Sequence, residues 1–189
     1  MGSLRANLWR EKSSMKKPHA LREYLLNALP DLQLNQDRLL IFANDGKLMS
    51  TLANGYSFEM AYTLDLIITD YAGDVDLFGV VLFTWIMDNQ SELMSNLDKV
   101  KESVTFEAEL IDNSKYDLNF KIPLTERVIV KKNAQGQFEM SYPIEPQYTE
   151  FEPPTNFELV DKDGSVLAAW TTADVQGRSL DMPFPGKNP

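Results

Sequence analysis

Residues 56–74 read YSFEMAYTLDLIITDYAGD. Tyr56, Phe58, Met60, Tyr62, Leu64, Leu66 and Ile68 alternate with Ser57, Glu59, Ala61, Thr63, Asp65, Ile67 and Thr69. A period of two held this long predicts one strand with an apolar face and a more polar face. At about 3.3 Å per residue it reaches roughly 45 Å, far beyond the usual five or six residues. Such a strand must pair along several neighbours or run past the body of its domain. It ends at Ala72-Gly73-Asp74, where the pattern turns helical.

Asp74 has the chemistry of an N-cap, and Asp76 falls in the first turn, where a carboxylate meets the positive end of the helix dipole. Val75, Phe78, Val81, Leu82, Trp85 and Ile86 mark one helix face, but Val80, Phe83 and Met87 make the helix apolar nearly all round. Such a helix is expected to be buried on more than one side, by the sheet and by a neighbouring subunit. Phe78, Phe83 and Met87 are the candidate oligomer interface.

Upstream, Pro18 suits a first helical turn, and Ala20, Leu21, Tyr24, Leu25, Ala28 and Leu29 form an amphipathic stripe that Pro30 ends. Arg38–Ala43 and Lys47–Leu52 read as strands joined by a turn at Asn44-Asp45-Gly46, and Asn54-Gly55 as a second turn feeding the long strand. That makes a three-strand antiparallel meander. Ser91–Val100 reads as a short second helix or a linking turn. Downstream, Val104–Ile111, Tyr116–Ile122, Arg127–Lys132 and Gln137–Tyr142 read as further strands. Pro143, Pro146, Pro153 and Pro154 break the chain into a linker, and Phe157–Trp170 forms one more hairpin. The fold class is α+β: a twisted, mostly antiparallel sheet with two main helices packed on it. Residues 1–14 are expected to be a tag or leader, 15–150 the α+β domain, and 151–189 a C-terminal hairpin with a flexible tail.

The net charge of −10 falls almost entirely on residues 15–150. An acidic body repels phosphate backbones, which argues against sequence-specific nucleic-acid binding, and it is also an ordinary route to solubility. With no cysteine, neither a disulfide frame nor a thiolate metal site can be built. The longest apolar run, Phe78–Met87, is about ten residues and too short to span a bilayer. The single histidine, His19, sits beside Pro18 at a helix start and reads as solvent-facing; no G-x-S-x-G accompanies it. Asp65, Asp70, Asp74 and Asp76 form the best carboxylate group, since closely spaced carboxylates hold Mg²⁺ or Ca²⁺. Their spacing is not that of a calcium loop, and turn, cap and dipole roles account for them. The loop Asp161–Ser165 starts like a calcium loop, but Thr172 stands where the closing glutamate belongs. Lys131-Lys132 reads as a solvated hairpin edge. No metal, cofactor or catalytic residue is expected.

Lys16-Lys17-Pro18 with Leu21-Arg22, then Pro30, Leu39 and Phe42, are followed by Ser57-Phe58-Glu59 with Tyr62 and Leu64. Thr69-Asp70-Tyr71-Ala72-Gly73, Trp85 and Gln90 complete the set. Through these residues the segment from Met15 to about Tyr148 resembles the tail completion protein R (GpR) family of contractile-tailed temperate phages and prophages. The resemblance implies a non-enzymatic virion assembly protein that completes or terminates the tail at its head-proximal end. It further implies a ring, often six-fold, with partners in itself, the tail tube and sheath proteins and the head–tail connector. The host cytoplasm during assembly, and then the virion tail, are the implied locations, with no membrane role. An acidic ring lumen carrying Asp65, Asp70, Asp74 and Asp76 would let DNA slide without sticking. Two alternatives stand beside this reading: a metal-dependent phosphodiesterase built on those aspartates, and a monomeric tail-assembly adaptor.

Overall fold

The alternation that opens at Tyr56 becomes β2 (Phe58–Tyr71), the central strand of the molecule. The computed structural model describes residues 15–50, 55–95, 103–112, 114–143, 145 and 156–171. β1 (Leu39–Met49) pairs antiparallel with one edge of β2, from Leu39 opposite Ile68 to Met49 opposite Glu59. The other edge pairs antiparallel with β4 (Lys115–Lys132), from Phe58 opposite Val128 to Tyr71 opposite Tyr116. The great length of β2, 14 residues, is thus met by β1 with 11 and β4 with 18. β3 (Thr105–Asp112) pairs with the first part of β4 and β5 (Phe138–Ser141) with its last residues, both antiparallel. The fold is α+β, a mostly antiparallel sheet with two main helices, as expected.

Two expectations about the strands change. Asn44-Asp45-Gly46 is no hairpin turn; it is a bulge inside β1, where Asp45 and Gly46 together oppose Tyr62 and Asp45 takes a φ of 53°. Running straight on preserves the ladder to β2, and Asp tolerates the left-handed conformation better than most residues. The meander is therefore two strands, with Leu52 and Asn54 outside the described residues.

Tyr116–Ile122 and Arg127–Lys132 are likewise one strand, despite Pro123. The Thr125 amide donates to Gln90 Oε1, away from β2, so alternate amides of β4 point outward and Pro123 belongs to that set. It also lies in the gap between the stretch paired with β3, which reaches Lys121, and the stretch paired with β5, which starts at Ile129. A proline there removes no ladder hydrogen bond. The alternating strand β3, at an edge of the sheet, is exposed along its whole length.

One face of the sheet supplies Tyr62, Leu64, Leu66 and Ile68 from β2 and Leu118, Phe120, Ile122 and Leu124 from β4. Against it pack α1 (Lys16–Ala28), α2 (Pro30–Leu34), α3 (Val75–Asn89) and α4 (Glu92–Ser95). Pro30, expected only to end a helix, also opens the next, where its missing N–H is harmless. Leu21, Leu25 and Ala28 of α1 are buried as expected, but Ala20 is exposed and Lys17 takes a buried place on that face. Asp74 caps α3, accepting from the amides of Asp76 and Leu77. The hairpin of β6 (Asn156–Val160) and β7 (Val166–Thr171) forms a separate two-stranded sheet, with Ala168 buried and Trp170 packed against the core.

Candidate functional site

Lys17 is the point where three parts of the chain meet. α1 carries its side chain inward, and its ammonium donates to Gln90 Oε1 and to Glu145 Oε1, each at 2.7 Å. Gln90 follows the last turn of α3 and plugs the gap in the sheet edge. Its Oε1 also accepts the Thr125 amide at 3.1 Å, and its Nε2 donates to Thr125 Oγ1 at 3.1 Å. Next to Thr125, the buried Glu126 accepts the Tyr62 hydroxyl at 2.5 Å and the backbone amide of Lys16 at 2.8 Å. α1 has no side-chain cap of its own, so a carboxylate from β4 satisfies an orphan amide at its start and meets the positive end of its dipole.

Burial shapes the electrostatics here. It lowers the Lys17 pKa by penalising the ammonium, against the pull of Glu145 and the charges of Glu126 and Glu92. It raises the Tyr62 phenol, which its hydrogen bond to Glu126 and that group's charge raise further. The result is a joint that ties α1, α3, β2, β4 and residue 145 together, with its polar groups mutually satisfied.

The other candidate residues do not converge. Asp65 sits on the solvent face of β2, opposite Lys121, and accepts from Asn44 Nδ2 at 2.6 Å. Asp70 bulges out of β2 at a φ of 52°, with Lys115 Nζ at 3.9 Å from its carboxylate and its own amide bonded to Asp117 Oδ1 at 2.8 Å. The Asp74 carboxylate is occupied as the α3 cap, and Asp76 is exposed on the first turn of that helix. Among the described residues no three His, Cys, Asp or Glu are grouped so as to hold a metal ion. Asp161–Gly164 is a tight turn, with the Asp161 amide bonded to the Ser165 carbonyl and Gly164 at a φ of 85°. His19 is exposed. No described helix is long and apolar enough to cross a membrane.

Phe78 is a correction. It is fully buried and stacks on Phe120 with ring centroids 4.7 Å apart, so this chain's own core takes it. Phe83 and Met87 remain outside, 44% and 47% exposed, with Val80 alongside at 45%.

The residues singled out as motifs turn out to be joints between elements. Lys17 reaches Gln90, and Tyr62 reaches Glu126. Ser57 Oγ accepts the Val130 amide at 3.0 Å, and Glu59 pairs with Arg127 at 3.5 Å. The Arg22 guanidinium donates to the carbonyls of Gln36 and Leu39. Gly73 is glycine because a Cβ there would stand 2.5 Å from the Tyr71 hydroxyl. Sequence reasoning missed Glu126, Thr125 and Glu145, and a lone buried glutamate on a strand carries no signal in one sequence.

Motif residues are thus spent on internal joints, while apolar side chains of α3 are left outside. The chain belongs to the P2 phage tail completion protein R (GpR) family, which it matches over residues 15–146. It is 37% identical over 153 residues to Tail completion protein R of Escherichia phage P2, a match covering 78% of this chain and 98% of that relative. No solved structure matches it.

Proposed function

We propose that this chain is a virion assembly protein that completes the phage tail, acting without catalysis at the head-proximal end as a ring of identical copies. The observation that carries the reading is the match to nearly the full length of a tail completion protein. The geometry supports it at the helix α3, whose outward apolar Phe83 and Met87 are 44% and 47% exposed. Tail tube, sheath and head–tail connector proteins are the proposed partners, and the assembled virion tail the proposed location. Asp65, Asp70, Asp74 and Asp76 are the carboxylates proposed for the ring lumen, the Asp74 carboxylate also serving as the α3 cap.

The test is electron microscopy of the phage that encodes the chain, with its gene deleted. Unjoined heads, and tails that are open or of uneven length at the head-proximal end, are the expected result. Normal virions from the deletion would overturn the reading. Light scattering across a concentration series separates a ring from the monomeric adaptor.

A further inference from the structure

The hairpin of β6 and β7 is an addition to the α+β domain, since the family match ends at residue 146, ahead of it. It forms its own two-stranded sheet, and β7 lies against α1. Before the hairpin begins, the chain is clamped to the start of the same helix. Lys16 Nζ stands 4.3 Å from the centre of the Tyr142 ring, and Lys17 pairs with Glu145. Among the described residues the main core cluster lies within residues 21–124, and from the hairpin only Trp170 packs against it.

The seat of the hairpin is small. Across residues 156–171 only Ala168 is buried, with Leu159 and Trp170 half-buried. These three share one face, since Leu159 pairs with Ala168 and Trp170 follows two residues on. Phe157, Val160, Val166 and Leu167 are 41–56% exposed. The seat is also imperfect: the Trp170 indole Nε1 is buried with no hydrogen-bond partner among the described residues. A buried donor without an acceptor forfeits its hydration, and water restores a partner when the contact opens. An isolated two-stranded hairpin is marginal in water, so the few seated side chains are what hold this one in place.

We propose that the β6–β7 hairpin is a lid on α1, lifting as a unit from an α+β domain that stays folded. Lifting returns the Trp170 indole N–H to water and bares the strip of α1 beneath β7. The chain up to residue 145 stays behind, held by Lys16 and Lys17. While the lid is down, that strip is closed to any partner; once it lifts, α1 offers a surface that the closed chain lacks. Openings of single supersecondary units take far less free energy than global unfolding. The inference concerns the free chain and stands apart from the tail-assembly reading.

The chain has no cysteine, so a single introduced thiol reports on its own position. In the full chain, Ala168→Cys places one under the lid, Val81→Cys one in the core, and Lys162→Cys one in the exposed turn. Each is labelled with an aromatic disulfide reagent, and melting curves matching wild type confirm folding. If Ala168→Cys lowers the melting temperature, Leu159→Cys, half-buried on the same face, takes its place. Ala168→Cys should label more slowly than Lys162→Cys and about tenfold or more faster than Val81→Cys. Adding Trp170→Ala should quicken Ala168→Cys by about tenfold more than it quickens Val81→Cys. Ala168→Cys labelling no faster than Val81→Cys, or Trp170→Ala quickening both by one factor, would overturn the lid: hairpin and domain would open together. Ala168→Cys as fast as Lys162→Cys would overturn it the other way, leaving the hairpin no seat on α1.

Discussion

Replacing Gln90 by alanine tests whether the joint around Lys17 holds the fold together. The substitution removes the 2.7 Å acceptor of a buried ammonium, the 3.1 Å acceptor of the Thr125 amide and the 3.1 Å donor to Thr125 Oγ1. A hydrogen bond to a charged group contributes about 1.5–3 kcal/mol and a neutral one about 1, with more lost when a buried partner is left unsatisfied. Gln90→Ala should therefore destabilise by about 3–5 kcal/mol. At about 2–4 °C per kcal/mol for a chain of this size, the melting temperature should fall by roughly 6–20 °C. The decisive form is a double-mutant cycle with Lys17→Met, read by urea denaturation. Once the ammonium is gone, its share of the Gln90 penalty disappears, so the two losses should couple by about 1.5–3 kcal/mol. Losses that add to within about 0.5 kcal/mol would show that Lys17 does not depend on Gln90, and the argument would fail.

Trp85, 3% exposed in the core, should cost about 3–5 kcal/mol as Trp85→Ala, and a wild-type melting curve for that variant would contradict the packing. Alkaline pH gives a signed test: burial raises the phenols of Tyr24, Tyr62 and Tyr71 above the ordinary value of 10.0. Their contribution is complete below pH 10 and is lost as pH rises beyond it, because the unfolded chain ionises there first, at up to about 1.4 kcal/mol per pH unit for each group. Tyr62→Phe should flatten that fall when stability is followed by denaturant titration from pH 9 to 12, and an unchanged slope would show that Tyr62 ionises freely in the folded state. Lys17 has the opposite sign: its lowered pKa makes its contribution improve as pH rises toward 10.5.

Periodicity carried much of the fold. The β2 alternation and the α3 face from Phe78 to Ile86 were legible because each pattern repeats faster than turns interrupt it, and each buries the side it predicts. The cap at Asp74 was equally legible, since capping is settled within three residues. Turn chemistry misled at Asn44-Asp45-Gly46, because those residues suit a bulge as well as a hairpin and only the presence of β2 alongside decides between them. Pro123 misled for a related reason: whether a proline breaks a strand depends on which edge its missing amide faces.

The candidate site divides along the same line. Lys17, Tyr62 and Gln90 stood out in the sequence as motif residues, but their partners could not be read there. Lys17 and Gln90 are 73 residues apart, and Tyr62 and Glu126 are 64 apart. By itself the sequence determined what is local: strand and helix periods, the α3 cap, the acidic balance and the apolar excess on α3. Only the tertiary structure decided that this chain's own core takes up Phe78 and leaves the outer face to Phe83 and Met87, that Glu126 serves the start of α1, and that Leu48, Tyr56, Phe138 and Met140 at the far end of the sheet stay exposed. The physical reason is that burial and charge pairing belong to contacts between distant segments, which no local pattern encodes.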